Sequence, residues 1–270
     1  MLNYFIIELK KAFINKKMLI ILCVACGISL SEIVTNVIPV MELNNTNTDI
    51  PISAFEKMFP MIGVEAPQFY IYIFTIIIFA TIPYASTTYS ELKKGVVKNI
   101  FIRTKRSHYY IAKYIVTFLS GGTIVVVPLL LNTLVTALLL PSIEPDAAMG
   151  FYGIDYQCML VDLFYSNTYL YLILYMLIDF VVFGLLNTLS VTAVWVLNNE
   201  FAVLMLPFLV YIGSDLLSQA TGYTEIALPT KMYPKQVFPV NGTEILIYII
   251  ALLMIAIVSC MALSRRKDVL

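Results

Sequence analysis

The sequence predicts an all-α polytopic membrane protein with six transmembrane helices, an amphipathic interfacial helix ahead of the first, and both termini in the cytoplasm. Three observations predict it. The 270 residues are 60% hydrophobic and 13% charged, whereas a soluble chain averages about 45–50% apolar and about 25% charged. Six apolar runs approach or exceed the ~20 residues that carry a helix across ~30 Å of hydrocarbon. They are too long for barrel strands of ~10 residues and lack the strict alternation of such strands. The basic residues, finally, collect in alternate connections between the runs.

The elements follow in order, and residues 1–270 read as one membrane domain. In residues 1–17, Leu2, Phe5, Ile6, Leu9 and Phe13 recur at three- and four-residue spacing, while Glu8, Lys11 and Asn15 share another face. That pattern predicts an elbow helix lying in the interface. The first span covers 18–40. Lys16 and Lys17 ahead of it resemble the start of a secretory leader, but no small-x-small cleavage site precedes Glu32, so the span is read as retained. Its outer half is polar, with Ser29, Ser31, Glu32, Thr35 and Asn36. The outer connection 41–67 holds a short helix at 53–59, with Phe55, Met58 and Phe59 expected on the membrane side. Span two, 68–89, ends in Pro83 and a hydroxyl-rich stretch. Span three, 113–140, carries Ser120, Gly121, Gly122 and Pro128 as close-packing and kink positions. Span four, 168–197, contains Asp179 and turns tightly at Asn198, Asn199 and Glu200 into span five, 201–218. Spans three and four exceed what a bilayer requires, which predicts tilt or extension beyond it. The connection 219–243 contains Pro229, Pro234 and Pro239, which limit it to short helical pieces, and it reads as an outer cap. Span six covers 244–264.

Charge orients these spans. Of the 17 basic residues, 14 fall on one side of a six-span chain: Lys10, Lys11, Lys16 and Lys17, the seven from Lys93 to Lys113, and Arg265, Arg266 and Lys267. Only Lys57, Lys231 and Lys235 fall on the other. The positive-inside rule makes the 14-residue side cytoplasmic. Four acids, Glu8, Glu91, Glu200 and Asp268, share that side, which sums to +10, and the spans and outer side sum to −10. The net charge of zero is thus a cancellation across a membrane. It argues against a nucleic-acid footprint, and the outer excess of acid favours a cationic cargo.

The inventory excludes most chemistry. No Gly-x-x-x-x-Gly-Lys-Ser/Thr loop is present, so ATP would have to be bound by another polypeptide. His108 is the sole histidine, which excludes a zinc protease or a Ser-His-Asp hydrolase. Asp179 and Asp215 lie at different depths and do not form a di-aspartyl pair. Cys23, Cys26 and Cys260 read as small lipid-buried residues, and Cys158 sits in a polar loop; no metal site is expected. Glu32 and Asp179 would each cost about 2.5–3.5 kcal/mol at mid-membrane. They therefore either hydrogen-bond between helices or, with Asn36, line a substrate pathway.

The most patterned stretch is the connection 90–112 and its flanks, YSELKKGVVKNIFIRTKRSHYYIAK. Topology needs only scattered Lys and Arg there, whereas Val96, Val97, Ile100 and Phe101 at helical spacing offer a face for another protein. With the elbow and six helices, the pattern Glu91-x-x-x-Gly95, Lys98-Asn99, Arg103, Arg106 and Tyr110-x-x-Lys113 resembles the membrane subunit of an ABC transporter of the second permease class, the six-span exporter type. The resemblance covers the whole chain. It implies that this connection carries a coupling helix seated in a groove of a separate ATPase subunit, with Glu91, Gly95, Asn99, Arg103 and Arg106 as contacts. Thr104-Lys105 stands where the family often has a proline. The resemblance further implies two ATPase copies holding ATP and Mg beneath a homodimer or heterodimer of permease chains, in a bacterial plasma membrane. Short chains of this kind also resemble exporters of antimicrobial or cytolytic peptides and the matching immunity systems. Two other classes remain: a non-transporting sensor or immunity protein that sequesters a peptide, and a membrane enzyme, against which the inventory argues. The orientation is testable with impermeant maleimide on intact cells. Asn44→Cys and Thr224→Cys are expected to label from outside, and labelling of Lys98→Cys from outside would reverse the assignment.

Overall fold

The computed structural model describes residues 2–47, 51–62, 66–146, 154, 158–232, 234 and 240–265. Among the described residues there is no strand, and six helices are long and apolar enough to cross a membrane: Lys16–Thr46, Pro67–Lys93, Arg106–Leu139, Thr168–Ala193, Glu200–Thr221 and Gly242–Arg265. They coincide with the six apolar runs. The expectations placed on Lys235, Pro239, Arg266, Lys267 and Asp268 lie outside the described residues.

Helix α1 (Leu2–Phe13) precedes α2 (Lys16–Glu32), and Asn15 makes the corner between them. Its Oδ1 accepts from the Lys17 backbone N–H at 3.0 Å, capping α2, while its Nδ2 donates to the Pro83 carbonyl at 3.3 Å. The cap thus fixes both the helix start and its distance from span two. Helix α2 runs through a π-helical segment, Ile33–Val37, into α3 (Ile38–Asn47). At that segment the Thr35 hydroxyl donates back to the Ser31 and Glu32 carbonyls, at 3.3 and 3.2 Å, a competition with the backbone ladder that accompanies irregular turns.

The short helices α4 (Ala54–Lys57) and α5 (Phe59–Ile62) occupy the connection between the first two candidate spans. The sequence pattern placed Phe55, Met58 and Phe59 on the membrane side, but all three are buried within the protein. The reason is a polar anchor: the Phe59 backbone N–H donates to Asn132 Oδ1 at 2.9 Å, inside the bundle. An unmade hydrogen bond at that depth would cost several kcal/mol, so the segment folds inward.

The remaining helices are α6 (Pro67–Lys93), α7 (Val96–Arg103), α8 (Arg106–Leu139), α9 (Val161–Ser166), α10 (Thr168–Ala193), α11 (Glu200–Thr221) and α12 (Gly242–Arg265). Helix α8 starts at Arg106 rather than 113, carrying the third span beyond the apolar run. Helix α10 ends at Ala193 rather than 197, because Val194 to Asn198 form the turn that Asn199 closes as N-cap of α11, accepting from Phe201 N–H at 3.0 Å.

Helices α8 and α10 form the central pair, and glycines set their separation. A Cβ at Gly122 would lie 2.7 Å from the Phe180 carbonyl oxygen, and one at Gly184 would lie 2.8 Å from that of Phe118. Such approach of backbones is how membrane helices associate without a hydrophobic driving force. Asn187 completes the join: its Nδ2 donates to the Ala80 carbonyl at 3.0 Å and the Thr117 carbonyl at 2.9 Å, tying α10 to α6 and α8. Helices α11 and α12 are peripheral; α12 buries only Ile245, Leu252 and Leu263 along its length. At the end of the bundle opposite the α1–α7 cluster, short 3₁₀ turns at Thr224–Ile226 and Pro229–Lys231 pack against α11. Buried Lys231 pairs with Glu244 there, and Tyr248 donates to the Ile226 carbonyl at 2.5 Å. Pro229 opens the second of these turns, and Pro239 lies outside the described residues. Gly184→Leu is expected to lower the thermal unfolding midpoint in detergent, at a cost of about 1–3 kcal/mol, because the opposing atom is backbone; Gly213→Leu, with open space around its Cβ position, is the control that should leave it unchanged.

Candidate functional site

At the basic end of the bundle, three helices meet in one cluster of charge. Lys113, fully buried near the start of α8, donates to Glu8 Oε2 at 2.7 Å and pairs with Glu91 Oε2 at 2.9 Å. Lys11 donates to the other oxygen of each acid, Glu8 Oε1 at 2.7 Å and Glu91 Oε1 at 2.9 Å. Two lysines and two carboxylates therefore alternate around a closed ring. Tyr84 donates to Glu8 Oε2 at 2.5 Å and Tyr109 to Glu91 Oε2 at 3.3 Å. The Lys113 ammonium also lies 4.9 Å from the Tyr84 ring centre and 5.6 Å from that of Tyr109, a favourable cation–π arrangement. Glu91 stands at the C-terminal end of α6, where the helix dipole disfavours an acid, and the two lysines offset that.

The ring also reverses one face of α1. The sequence put Glu8 on the polar side of an interfacial helix; it is instead wholly buried, while Ile6 and Ile7 are 41% and 51% exposed. An isolated carboxylate could not be buried so deeply, but one that receives three charge-neutralising or hydroxyl donors can. Burial pushes the Glu8 carboxyl up, yet the Lys113 charge and the hydrogen bonds from Lys11, Lys113 and Tyr84 outweigh it and hold it at about 2, against 4.5 normally. Burial likewise works against the Lys11 ammonium, and its bonds to Glu8 and Glu91 raise it. Burial, then the charges of Glu8 and Glu91, push the Tyr4 phenol up.

Immediately beyond Glu91, the chain breaks at Gly95, whose φ of 69° and ψ of 7° are left-handed, a conformation that costs other residues roughly 1–2 kcal/mol. Helix α7 follows and ends at extended Thr104. Of the four apolar residues expected to offer a face to another protein, only Val96 is exposed. Val97 is buried, and Ile100 and Phe101 pack with it against Tyr109 and Tyr110. Phe101 meets Tyr109 edge-on at 5.4 Å, and the Arg106 guanidinium lies over the Phe101 ring at 5.2 Å. The outward face is Lys98, Asn99, Ile102 and Arg103, all exposed. Between this face and α1 runs a groove of about 620 Å³, lined by Tyr4, Ile7, Asn99, Ile100, Ile102, Arg103 and Thr104.

The expected coupling residues thus divide. Asn99 and Arg103 share the groove, Gly95 forms the hinge before it, Arg106 clamps Phe101, and Glu91 belongs to the internal ring. The three membrane candidates are not brought together. Glu32 is buried and accepts from Asn132 Nδ2 at 2.8 Å; the same amide donates to the Ser29 carbonyl at 3.0 Å. Asn36 is half-buried and donates to the Thr35 hydroxyl at 3.2 Å. Asp179 borders a separate cavity of about 30 Å³ with Tyr72 and Tyr211, room for about one water. Sequence reasoning missed Lys113, Glu8, Asn132 and Asn187. Each carried a signal: a lysine opening an apolar run, an acid among basic elbow residues, and two amides within spans, where polar groups need partners.

Comparison with protein-family models, with curated proteins and with solved structures finds no match to this chain. What stands is a multi-pass helical membrane protein with a charged ring at its basic end and a short basic helix set beside it.

Lys113→Met is expected to destabilise the protein by about 3–5 kcal/mol, because it leaves the buried Glu8 carboxylate beside Glu91 with only the half-exposed Lys11 between them. Adding Glu8→Gln should restore part of that loss, measured as a double-mutant cycle on chemical denaturation in detergent. The pH dependence has a defined sign. Glu8 is held near 2 in the fold against 4.5 unfolded, so its contribution is fully present above 4.5 and is lost as pH falls towards 2. Stability measured over that window should fall less steeply for Glu8→Gln than for the unsubstituted chain.

Proposed function

We propose that the chain is the transmembrane subunit of an ATP-driven ABC exporter, moving an amphipathic substrate such as an antimicrobial or cytolytic peptide by coupling to a separate ATPase subunit. The observation that carries this reading is α7. An eight-residue helix, set between a left-handed glycine and an extended threonine, spends its apolar face on its own bundle and turns Lys98, Asn99 and Arg103 outward beside a groove. A bare topological loop needs neither the two backbone breaks nor the inward packing.

The ring gives α7 something to act on. A push on α7 bears on Gly95 and, four residues earlier, on Glu91, whose carboxylate is shared by Lys11 of α1 and Lys113 of α8. Movement at the docking face would therefore reach the elbow and two spans through short, charge-assisted bonds. ATP and Mg belong to the ATPase, two copies of which would sit beneath two permease chains in a bacterial plasma membrane. Glu32 and Asp179, packed against protein in this state, take part in a pathway only after the spans rearrange.

The test is co-purification with a co-expressed ABC ATPase subunit in mild detergent. A 1:1 complex is expected, with affinity reduced about tenfold or more by Arg103→Glu, since an opposed charge at an interface costs several kcal/mol. Gly95→Val should preserve the spans but reduce substrate-stimulated ATP hydrolysis. A chain that protects cells from a peptide with no ATPase bound would instead be the non-transporting sensor.

A further inference from the structure

A second groove lies on the membrane face of the same half of the bundle. It encloses about 580 Å³ between α8, α10 and α12. One wall is α8 from Ser107 to Phe118, and the other is α12 from Leu253 to Ser264. The groove exists because α12 presents Ala256, Cys260 and Ser264 at four-residue spacing, side chains too small to fill the space, with Thr188 of α10 as part of the floor. The hydroxyls within it are already engaged: Tyr114 donates to Ser259 at 2.8 Å and is bonded to Thr192 at 2.9 Å. What remains for an occupant is an apolar slot.

Its dimensions and its charge identify that occupant. Each wall spans eleven residue steps, about 16 Å at ~1.5 Å per residue, which is close to half of a ~30 Å hydrocarbon core. The slot therefore runs through one leaflet and ends at the interface. At its polar end stand Ser107 and Ser264, and the next residue on each helix is basic: Arg106 opens α8 and exposed Arg265 closes the described part of α12, with exposed Lys105 beside them. Basic clusters at the interfacial ends of spans recognise lipid phosphate, and a guanidinium presents a planar fork suited to it.

We propose that this groove is a binding site for an anionic phospholipid, one acyl chain lying along Ile111, Ile115, Leu253 and Ile257 and the headgroup phosphate against Arg265. The site is independent of the transport reading: it requires neither an ATPase nor a substrate.

The experiment compares retention of phosphatidylglycerol and phosphatidylcholine by native mass spectrometry of the intact chain, and thermal unfolding in nanodiscs of each composition. One tightly retained phosphatidylglycerol per chain is expected, with a higher unfolding midpoint in its presence. Arg265→Gln should lower the preference for phosphatidylglycerol about fivefold, as loss of one basic group at an anionic surface requires, leaving the midpoint in phosphatidylcholine unchanged. Ala256→Trp, which fills the slot, should abolish retention of the lipid. Equal retention of both lipids, or a phosphatidylglycerol effect that persists in Arg265→Gln, would overturn the proposal. If Ala256→Trp does not fold, the Arg265→Gln comparison decides alone.

Discussion

The buried ammonium of Lys113 is the constraint around which the basic half of the molecule is arranged. A lysine at 0% exposure must keep opposite charge beside it, and the chain supplies it from two distant places, Glu8 in the elbow and Glu91 at the end of span two. Each carboxylate then needs a second cation to share its other oxygen, and Lys11 provides one for both. The elbow helix is consequently tied to the bundle. It is docked by charge, with Glu8 and Ala12 turned inward, and its exposed residues lie beside α7, where they form the other bank of a groove.

Deeper in the bundle the same logic operates with amides. Asn187 and Asn132 each satisfy carbonyls on neighbouring helices. Asn187 does so at the level where Gly184 and Gly122 let α8 and α10 touch through backbone. The glycines permit the approach, and the amides fix its register. Asn132 also reaches Glu32 and the Phe59 amide, so the polar second half of span one and the inward fold of α5 have one cause.

The helices were legible because bilayer thickness imposes a long apolar run, and six such runs have few alternative interpretations. Ends were less legible: α8 starts before its apolar run, since Tyr109 and Tyr110 pack on α7 as readily as leucines would. Individual positions on α1 and α7 were misread for a related reason. Periodicity separates polar from apolar positions, but it does not say whether the polar stripe meets water or another charge 105 residues away. Glu8 looked like a solvated acid until its partner was known. Likewise Val97 and Phe101 looked available to a partner protein until the tyrosine pair of α8 covered them. Asn99 and Arg103 are exposed beside the groove.

The ring's span in sequence has a consequence for biosynthesis. Lys11 leaves the ribosome 80 residues ahead of Glu91, and Glu8 leaves it 105 residues ahead of Lys113, which follows only after span two has been made. Until then the elbow carries an acid and a base with no buried counterpart, and it rests in the headgroup region as an ordinary amphipathic segment. Its docking can therefore occur only once the third span has begun to insert, so a helix that precedes all six candidate spans in the chain is one of the later ones to reach its final place.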